Sequence, residues 1–215
     1  MTKDMPARAS ASPAPSSMPI STAWYSRGYL PHFDQPRLLQ SLTIRLYDAV
    51  PETVLEAWKT ELSRNSRTGA DSLDVELRKR IARYEDAGHG DCWLRDERIA
   101  ALVENALLHF DGTRYRLIAW CVMPNHVHSL VETREDWPLA SIAHSWKSYT
   151  AHVANEILGR SGELWFREYH DRFIRDDRHF ANAVKYIEQN PVKAGLARSP
   201  EAWRWSSAWR KRRES

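Results

Sequence analysis

The stretch Ala119–Glu132, AWCVMPNHVHSLVE, is the feature around which the chain is organised. Strand-forming residues precede a Pro-Asn turn, and His126 and His128 follow it. Residues two apart in a strand share a face, so both imidazoles are expected to point one way while Val127 and Leu130 pack on the other face. The stretch therefore predicts a hairpin whose second strand begins with two histidines that could hold a divalent metal.

A His-x-His pair alone is weak evidence for a metal site. The chain has 9 histidines among 215 residues, and a shuffled chain would contain about 0.4 such pairs. Most histidines bind no metal, so two half-exposed strand histidines without a ligand are an open alternative at this point. Other parts of the chain must decide between the two interpretations.

The composition indicates a globular protein with a real core, because 42% of its residues are hydrophobic and 11% are aromatic. No apolar run approaches the ~20 residues of a membrane helix, and no secretory signal pattern begins the sequence. We therefore expect a cytoplasmic protein without a membrane partner. Cys92 and Cys121 are far apart and form no Cys-x-x-Cys pair, which favours reduced, buried thiols.

The last residues of the chain, 201–215, are predicted to form a basic, tryptophan-rich C-terminal tail. The net charge of the whole chain, +3, is too small to identify a nucleic-acid partner. Arginines interleaved with Trp203, Trp205 and Trp209 nevertheless suit single-stranded or hairpin nucleic acid, because cations neutralise phosphates and aromatic rings stack on bases. A solvated helix end with its tryptophans turned inward is the alternative.

The order of periodic segments predicts an α+β domain. Residues 1–22 are rich in Ala, Ser and Pro and are expected to be a disordered leader, and residues 23–200 form the domain. A strand around Leu42–Leu46 precedes three helices, the second of them stopped by Gly88-His89-Gly90, and the hairpin follows. A helix at 138–158, a strand-like segment at 164–175 and a helix at 177–189 complete the order. This predicts an antiparallel sheet with helices on one face, plus an inserted helical hairpin.

The helix at 177–189 carries a second candidate functional pair. Tyr186 and Asn190 lie one turn apart on the flank of its apolar stripe. The helix is expected to stop at Asn190, because a residue before proline is disfavoured in helical geometry. A tyrosine in this position is most often a packing residue, so the helix alone does not assign it a function.

Four ordered motifs of the sequence resemble those of the REP-associated tyrosine transposases, which belong to the one-tyrosine HUH endonucleases. They are Trp120-x-x-Met123-Pro124-Asn125-His126-Val127-His128, Ser145-Trp146-Lys147-Ser148-Tyr149-Thr150, Trp165-x-x-Glu168-Tyr169-His170-Asp171-Arg172-x-Ile174-Arg175 and Tyr186-Ile187-x-x-Asn190-Pro191-Val192-Lys193-Ala194-Gly195. With the regions around Arg27-Gly28-Tyr29 and Thr43–Leu46, the resemblance covers most of the chain after the leader.

The resemblance implies a fold and a site. The fold would be a ferredoxin-like or RRM-like sheet with the histidines on a central strand. His126 and His128 would bind the metal, Tyr186 would be the nucleophile, and Asn190 would complete the metal shell in place of the glutamine of insertion-sequence relatives. No carboxylate belongs to this expected ligand set.

The chemistry expected of these groups is transesterification of single-stranded DNA. A bound Mg²⁺ or Mn²⁺ would keep open positions for phosphate oxygens. Attack by Tyr186 would leave a 5′-phosphotyrosine and a free 3′-hydroxyl, and reversal on another strand would join DNA without ATP. Cations such as Lys185 or Arg175 are expected to lower the pKa of the phenol.

The resemblance further implies a substrate of repetitive extragenic palindromic (REP) hairpins and a monomeric protein. Five basic residues are expected to contact phosphates: Lys147, Arg172, Arg175, Lys185 and Lys193. Two other functions are open from the residues themselves. One is a hairpin DNA- or RNA-binding protein without catalysis, and the other is a metal-dependent phosphodiesterase that uses water as its nucleophile.

Overall fold

A computed structural model describes residues 24–26, 31–33, 37–65 and 70–214. The expected leader, residues 1–22, and the Arg27-Gly28-Tyr29 motif lie outside these ranges. Two short strands, β1 (Trp24–Ser26) and β2 (Pro31–Phe33), pair antiparallel with each other. The remaining strands form one larger sheet.

The larger sheet has four antiparallel strands in the order β4-β5-β3-β6. They are β3 (Leu39–Arg45), β4 (Tyr115–Val122), β5 (His126–Thr133) and β6 (His170–Phe173). The predicted hairpin is confirmed: the Met123 backbone N–H donates to the His126 carbonyl oxygen at 2.8 Å, and β5 begins at His126. Because β5 lies between β4 and β3, the histidines occupy a central strand, as expected.

Six helices accompany the sheet in the described part of the chain. They are α1 (Glu52–Asn65), α2 (Ala70–Asp86), α3 (Glu97–His109), α4 (Leu139–Leu158), α5 (Asp177–Lys193) and α6 (Ser207–Glu214). Local signals set several ends: the carboxylate of Asp96 accepts from the backbone N–H of Arg98 at the start of α3, and Gly159 takes a left-handed conformation after α4. The predicted α+β class with an antiparallel sheet is confirmed.

The helices lie on both faces of the sheet, which differs from the expected one-sided arrangement. We call the face that carries Val127 and Val131 the core face; α3 and α4 pack on it around one large apolar cluster. We call the face that carries His126 and His128 the site face; there α5 packs through Ile187 on a smaller cluster. Leu130 belongs to this smaller cluster and not to the face of Val127, because strand parity places it with the histidines.

The inserted helical hairpin is formed by α1 and α2. The guanidinium of Arg80 on α2 donates two hydrogen bonds, of 2.8 and 3.1 Å, to the carboxylate of Glu61 on α1. The rings of Trp58 and Tyr84 meet edge to face at 5.5 Å. The last turn of α2 reaches the sheet, where the buried Glu85 lies 3.7 Å from Arg45 of β3.

The C-terminal segment packs along the free edge of β4. The backbone N–H of Val122 donates to the carbonyl oxygen of Trp205 at 2.8 Å, and the indole N–H of Trp203 donates to the carbonyl oxygen of Val122 at 2.9 Å. The guanidinium of Arg204 lies over the rings of Trp205 and Trp209 and pairs with the buried Glu104 at 3.1 Å. The segment therefore covers an edge that would otherwise expose unpaired backbone groups.

Two expected boundaries differ from the structure. The strand-like segment 164–175 contributes only β6, with one isolated bridge from Trp165 to Leu46. Helix α5 continues through Pro191 to Lys193 instead of stopping at Asn190. The proline lies in the last turn, where few backbone bonds remain to be lost, and both Asn190 and Pro191 are buried, so packing outweighs the local preference.

Candidate metal and tyrosine site

Two buried imidazoles face each other on the site face. His126 and His128, 0% and 3% exposed, lie two residues apart on β5, and their Nε2 atoms are 3.0 Å apart. The alternation of the strand puts both rings on one side, as the sequence predicted. Both rings are buried, and not half-exposed as in the alternative interpretation.

The other ring nitrogen of each histidine has a hydrogen-bonding partner. The Asn125 side chain donates from Nδ2 to the carbonyl oxygen of His89 at 2.8 Å, which turns its Oδ1 towards Nδ1 of His126 at 2.7 Å. Nδ1 of His126 is therefore the donor, and its Nε2 carries a lone pair. Nδ1 of His128 lies 2.9 Å from the hydroxyl of Thr43, which can serve either tautomer.

Burial keeps both imidazoles neutral at physiological pH. It lowers the pKa of His126 well below the ordinary value, and the nearby His128 adds to this effect. It lowers the pKa of His128 to about 3, with further contributions from His170 and Lys193. Neutral imidazole is the form that binds metals. The buried environment therefore favours the metal-binding form of both histidines over the charged imidazolium form.

Helix α5 brings Tyr186 and Asn190 to the same place. The ring of Tyr186 meets that of His128 edge to face, with centroids 5.3 Å apart, and the tyrosine is 37% exposed. Asn190 is completely buried, and within the described residues neither its side-chain oxygen nor its nitrogen has a hydrogen-bond partner. A buried amide without a hydrogen-bond partner reduces the stability of the fold, and a bound ligand would remove this penalty.

The phenol of Tyr186 is less acidic than the sequence suggested. Burial raises its pKa to about 12, and the carboxylates of Asp86 and Glu85 add to the increase. The expected lowering by Lys185 or Arg175 is therefore wrong. The cation that lies over the tyrosine ring is Lys193, whose Nζ is 4.6 Å from the ring centroid.

Asp86 is a site residue that the sequence did not reveal. Its Oδ1 lies 3.8 Å from Nε2 of His126, and one ligand atom each from Asp86, His126 and His128 lie within 4.8 Å of one another. A carboxylate therefore lies beside the two histidines, which the sequence did not predict. Asp86 is the last residue of α2, forty residues before the histidines, and no local pattern links the two.

The structure brings some of the predicted phosphate contacts to the site face and not others. Arg172 of β6 is opposite Ser41, two residues along β3 from Thr43, and is exposed on the site face. Arg175 is also exposed, between β6 and α5, and Lys193 lies beside Tyr186. Lys185 is exposed on α5.

Lys147 belongs to α4 on the core face, where its ammonium donates to the carbonyl oxygens of Phe166 and Arg167 at 2.7 and 2.6 Å.

Comparison with known proteins agrees with this geometry. Residues 95–190 match a family model described as "Transposase IS200 like". These residues contain both histidines, Tyr186 and Asn190. The segment 95–190 is therefore similar to the IS200-like transposases. The α1–α2 hairpin, with Asp86, lies outside the matched transposase segment.

Two relatives confirm the resemblance to REP-associated tyrosine transposases, and one solved structure of that group shares the fold. A Haemophilus influenzae protein, assigned provisionally to that group, is 30% identical over 103 residues, and a member from Escherichia coli is 24% identical over 95 residues; each match covers 43% of this chain. The matched parts span only 58% and 54% of those relatives. A solved REP-associated tyrosine transposase bound to a REP hairpin shares the fold, with a TM-score of 0.54 and 19% identity, over 87% of this chain and 84% of its own.

No helix among the residues that the structure describes is long and apolar enough to cross a membrane. Cys92 and Cys121 are both buried free thiols, as their spacing predicted.

Proposed function

We propose that the protein is a metal-dependent endonuclease and strand transferase of single-stranded DNA, which acts on REP-type hairpins through a covalent bond to Tyr186. One observation carries the proposal: on one side of the sheet, the ring of Tyr186 lies 5.3 Å from that of His128, whose Nε2 is 3.0 Å from Nε2 of the equally buried His126. The match of residues 95–190 to a transposase family model supports it.

The residues present fit a divalent cation, which we propose is Mg²⁺ or Mn²⁺. Two nitrogen ligands about 2.1 Å from an ion and at right angles to each other would be about 3.0 Å apart, and the Nε2 atoms of His126 and His128 are 3.0 Å apart. The buried amide of Asn190 lacks a partner, so its oxygen is the proposed third ligand. When bound, the metal supplies Lewis-acid polarisation of a phosphate oxygen.

The covalent step is assigned to Tyr186. Its Oη attacks the phosphorus of the scissile phosphodiester, the bond from phosphorus to the 3′ oxygen breaks, and the DNA becomes a 5′-phosphotyrosine ester. The phenol loses one proton and the departing 3′ oxygen gains one. Since the number of phosphate ester bonds is unchanged, attack by a 3′-hydroxyl can reverse the step and join strands.

The chain's own residues would prepare this step. Thr43 and Asn125 orient the imidazoles, and Lys193 beside the phenol can stabilise the phenolate that forms during attack. This compensates for a ground-state pKa of about 12, which by itself leaves little phenolate at neutral pH.

The proposed substrate is a REP hairpin with a single-stranded flank. The similar solved structure is a REP-associated tyrosine transposase bound to a REP hairpin. Arg172, Arg175, Lys185 and Lys193 are the proposed phosphate contacts, and Lys147 is left out because its ammonium is engaged by backbone carbonyls on the core face. Both histidines and the tyrosine come from one chain, so a monomer is sufficient. Size-exclusion chromatography would then show elution near 25 kDa.

The test incubates the protein with Mn²⁺ or Mg²⁺ and an end-labelled REP hairpin, and resolves the products on a denaturing gel. We expect a protein–DNA adduct that disappears in Tyr186→Phe and persists in Tyr149→Phe. Tyr149 is a matched control because it is also exposed but lies on α4.

The other candidate functions give different gels. Free cleavage products with undiminished Tyr186→Phe activity would contradict the proposal in favour of a phosphodiesterase that uses water. A mobility shift on a native gel without cleavage would contradict it in favour of a non-catalytic binding protein.

A further inference from the structure

We infer that Asp86, at the end of the inserted hairpin, is an additional ligand of the metal held by His126 and His128. The inference rests on the proposed function and deepens it, because it gives the α1–α2 hairpin a direct part in the site. It concerns a residue outside the matched transposase segment.

The atoms of Asp86 and His126 that face each other are both of the kind that binds metals. Oδ1 of Asp86 is buried and has no hydrogen-bond partner among the described residues, and it lies 3.8 Å from Nε2 of His126. Nε2 of His126 carries a lone pair because its Nδ1 donates to Asn125. A carboxylate oxygen and imidazole nitrogens therefore lie together with too few N–H or O–H donors to pair all of their lone pairs. A cation among them would satisfy all three groups.

The geometry does not support a simple ion pair between Asp86 and His126. Oδ1 of Asp86 and Nε2 of His126 are 3.8 Å apart, which is too far for a hydrogen bond. Lys193 is near enough to act on Asp86 electrostatically, but Oδ1 of Asp86 has no hydrogen-bond partner among the described residues. A cation between Asp86 and the two imidazoles would satisfy this oxygen.

The same turn of the chain holds both Asp86 and His126 in place. Three residues after Asp86, the carbonyl oxygen of His89 accepts the Asn125 bond that orients His126, and the ring of His89 stacks on Tyr84 at 3.9 Å. Gly90 packs so closely on Asp48 that a Cβ would lie 2.8 Å from its carboxylate. The end of α2 is therefore fixed against the strand that carries the histidines.

The ligand chemistry agrees with the proposed metals. Mg²⁺ and Mn²⁺ prefer oxygen ligands, carboxylates above all, over imidazole nitrogen. His126, His128 and Asn190 provide no negative charge, whereas Asp86 provides one. We therefore expect Asp86 to contribute much of the affinity for these ions.

The experiment measures Mn²⁺ binding to the full-length, metal-free protein by calorimetry and by the loss of the free Mn²⁺ signal in electron paramagnetic resonance. Asp86→Ala is compared with Asp74→Ala, an exposed aspartate of the same helix. We expect Asp86→Ala to weaken Mn²⁺ binding at least about tenfold, and Asp74→Ala to leave it within about twofold. Without metal, Asp86→Ala should unfold at a temperature no lower than the wild type, because an unpaired buried oxygen is removed.

Asp86→Asn keeps the shape of the side chain and carries the same test if Asp86→Ala does not fold: it too should bind Mn²⁺ more weakly than Asp74→Asn. Equal affinity of Asp86→Asn and Asp74→Asn, together with loss of binding in His126→Ala, would overturn the role of Asp86 and leave the histidine site intact. A wild-type protein that does not bind Mn²⁺ would overturn both the role of Asp86 and the proposed metal site.

Discussion

The two faces of the four-stranded sheet are built in opposite ways. On the core face, the buried hydroxyl of Tyr115 has two partners: it donates to the carbonyl oxygen of Leu107 at 2.7 Å and accepts from the indole N–H of Trp146 at 2.9 Å. On the site face, Asp86 and Asn190 have buried polar atoms without partners in the described chain.

This difference separates the residues that stabilise the fold from those of the proposed metal site. Apolar burial on the core face favours folding, whereas unpaired buried acceptors on the site face oppose it until a ligand satisfies them. Strand residues alternate between the faces, so neighbours in sequence should have different effects when they are changed. Leu42 and Thr43 on β3 are such neighbours.

The largest effect on stability is expected from Leu42→Ala. Leu42 is fully buried in the core-face cluster, so the change removes apolar contacts and leaves a cavity. The free energy of unfolding should fall by about 2–5 kcal/mol, measured by urea unfolding. The affinity for Mn²⁺, measured at a temperature where the variant is folded, should not change. A large loss of metal affinity would show that the two faces are not independent.

Thr43→Val is expected to have a smaller effect on stability than Leu42→Ala, and to lower metal affinity instead. This change keeps the shape of the side chain and removes the hydroxyl that lies 2.9 Å from Nδ1 of His128. Metal affinity should fall by about 10–100-fold, as for other residues that orient a histidine ligand, and calorimetric titration with Mn²⁺ measures it. The free energy of unfolding should change by less than about 1.5 kcal/mol. Unchanged metal affinity would contradict the orienting role of Thr43.

The smallest effect is expected at the start of α3, on the core-face side. Asp96→Ala removes the cap of this helix and should lower the free energy of unfolding by about 1 kcal/mol without affecting metal affinity. The side chain of Arg98, and the backbone N–H groups of Arg98 and Ile99, lower the pKa of Asp96 to about 2.

Because the pKa of Asp96 in the folded protein is below its ordinary value of about 3.9, the ionised carboxylate stabilises the fold. Its contribution is complete above about pH 4 and is lost as the pH falls towards 2. Urea unfolding of Asp96→Ala and the wild type at several pH values should show a difference that shrinks over this interval. A difference that persists at pH 2 would contradict the cap assignment.

The sequence was sufficient to predict those parts of the fold and site that depend on local periodicity. Strand alternation put His126 and His128 on one face, and helical spacing put Tyr186 and Asn190 on adjacent turns, as the structure has them. Their meeting in space came from the family resemblance, because no local pattern specifies how α5 packs on the sheet.

The features that the sequence did not reveal are those decided by tertiary packing. Asp86 ends a helix whose position depends on the Gly88–Asp91 turn docking against Asp48 and Asn125, contacts made across more than thirty residues. The sequence predicts a phosphate contact for Lys147, whereas in the structure its ammonium donates to two backbone carbonyl oxygens. No local pattern in the sequence indicates these two hydrogen bonds. The extension of α5 through Pro191 depends similarly on burial.

Mass spectrometry of the protein after reaction with a REP hairpin and Mn²⁺, followed by nuclease and protease digestion, tests the central claim most directly. The account predicts that the peptide containing Tyr186 carries a nucleotide joined through its 5′ phosphate. A nucleotide on Tyr149 or Tyr47, the other strongly exposed tyrosines that the structure describes, or DNA cleavage with no modified tyrosine, would contradict it.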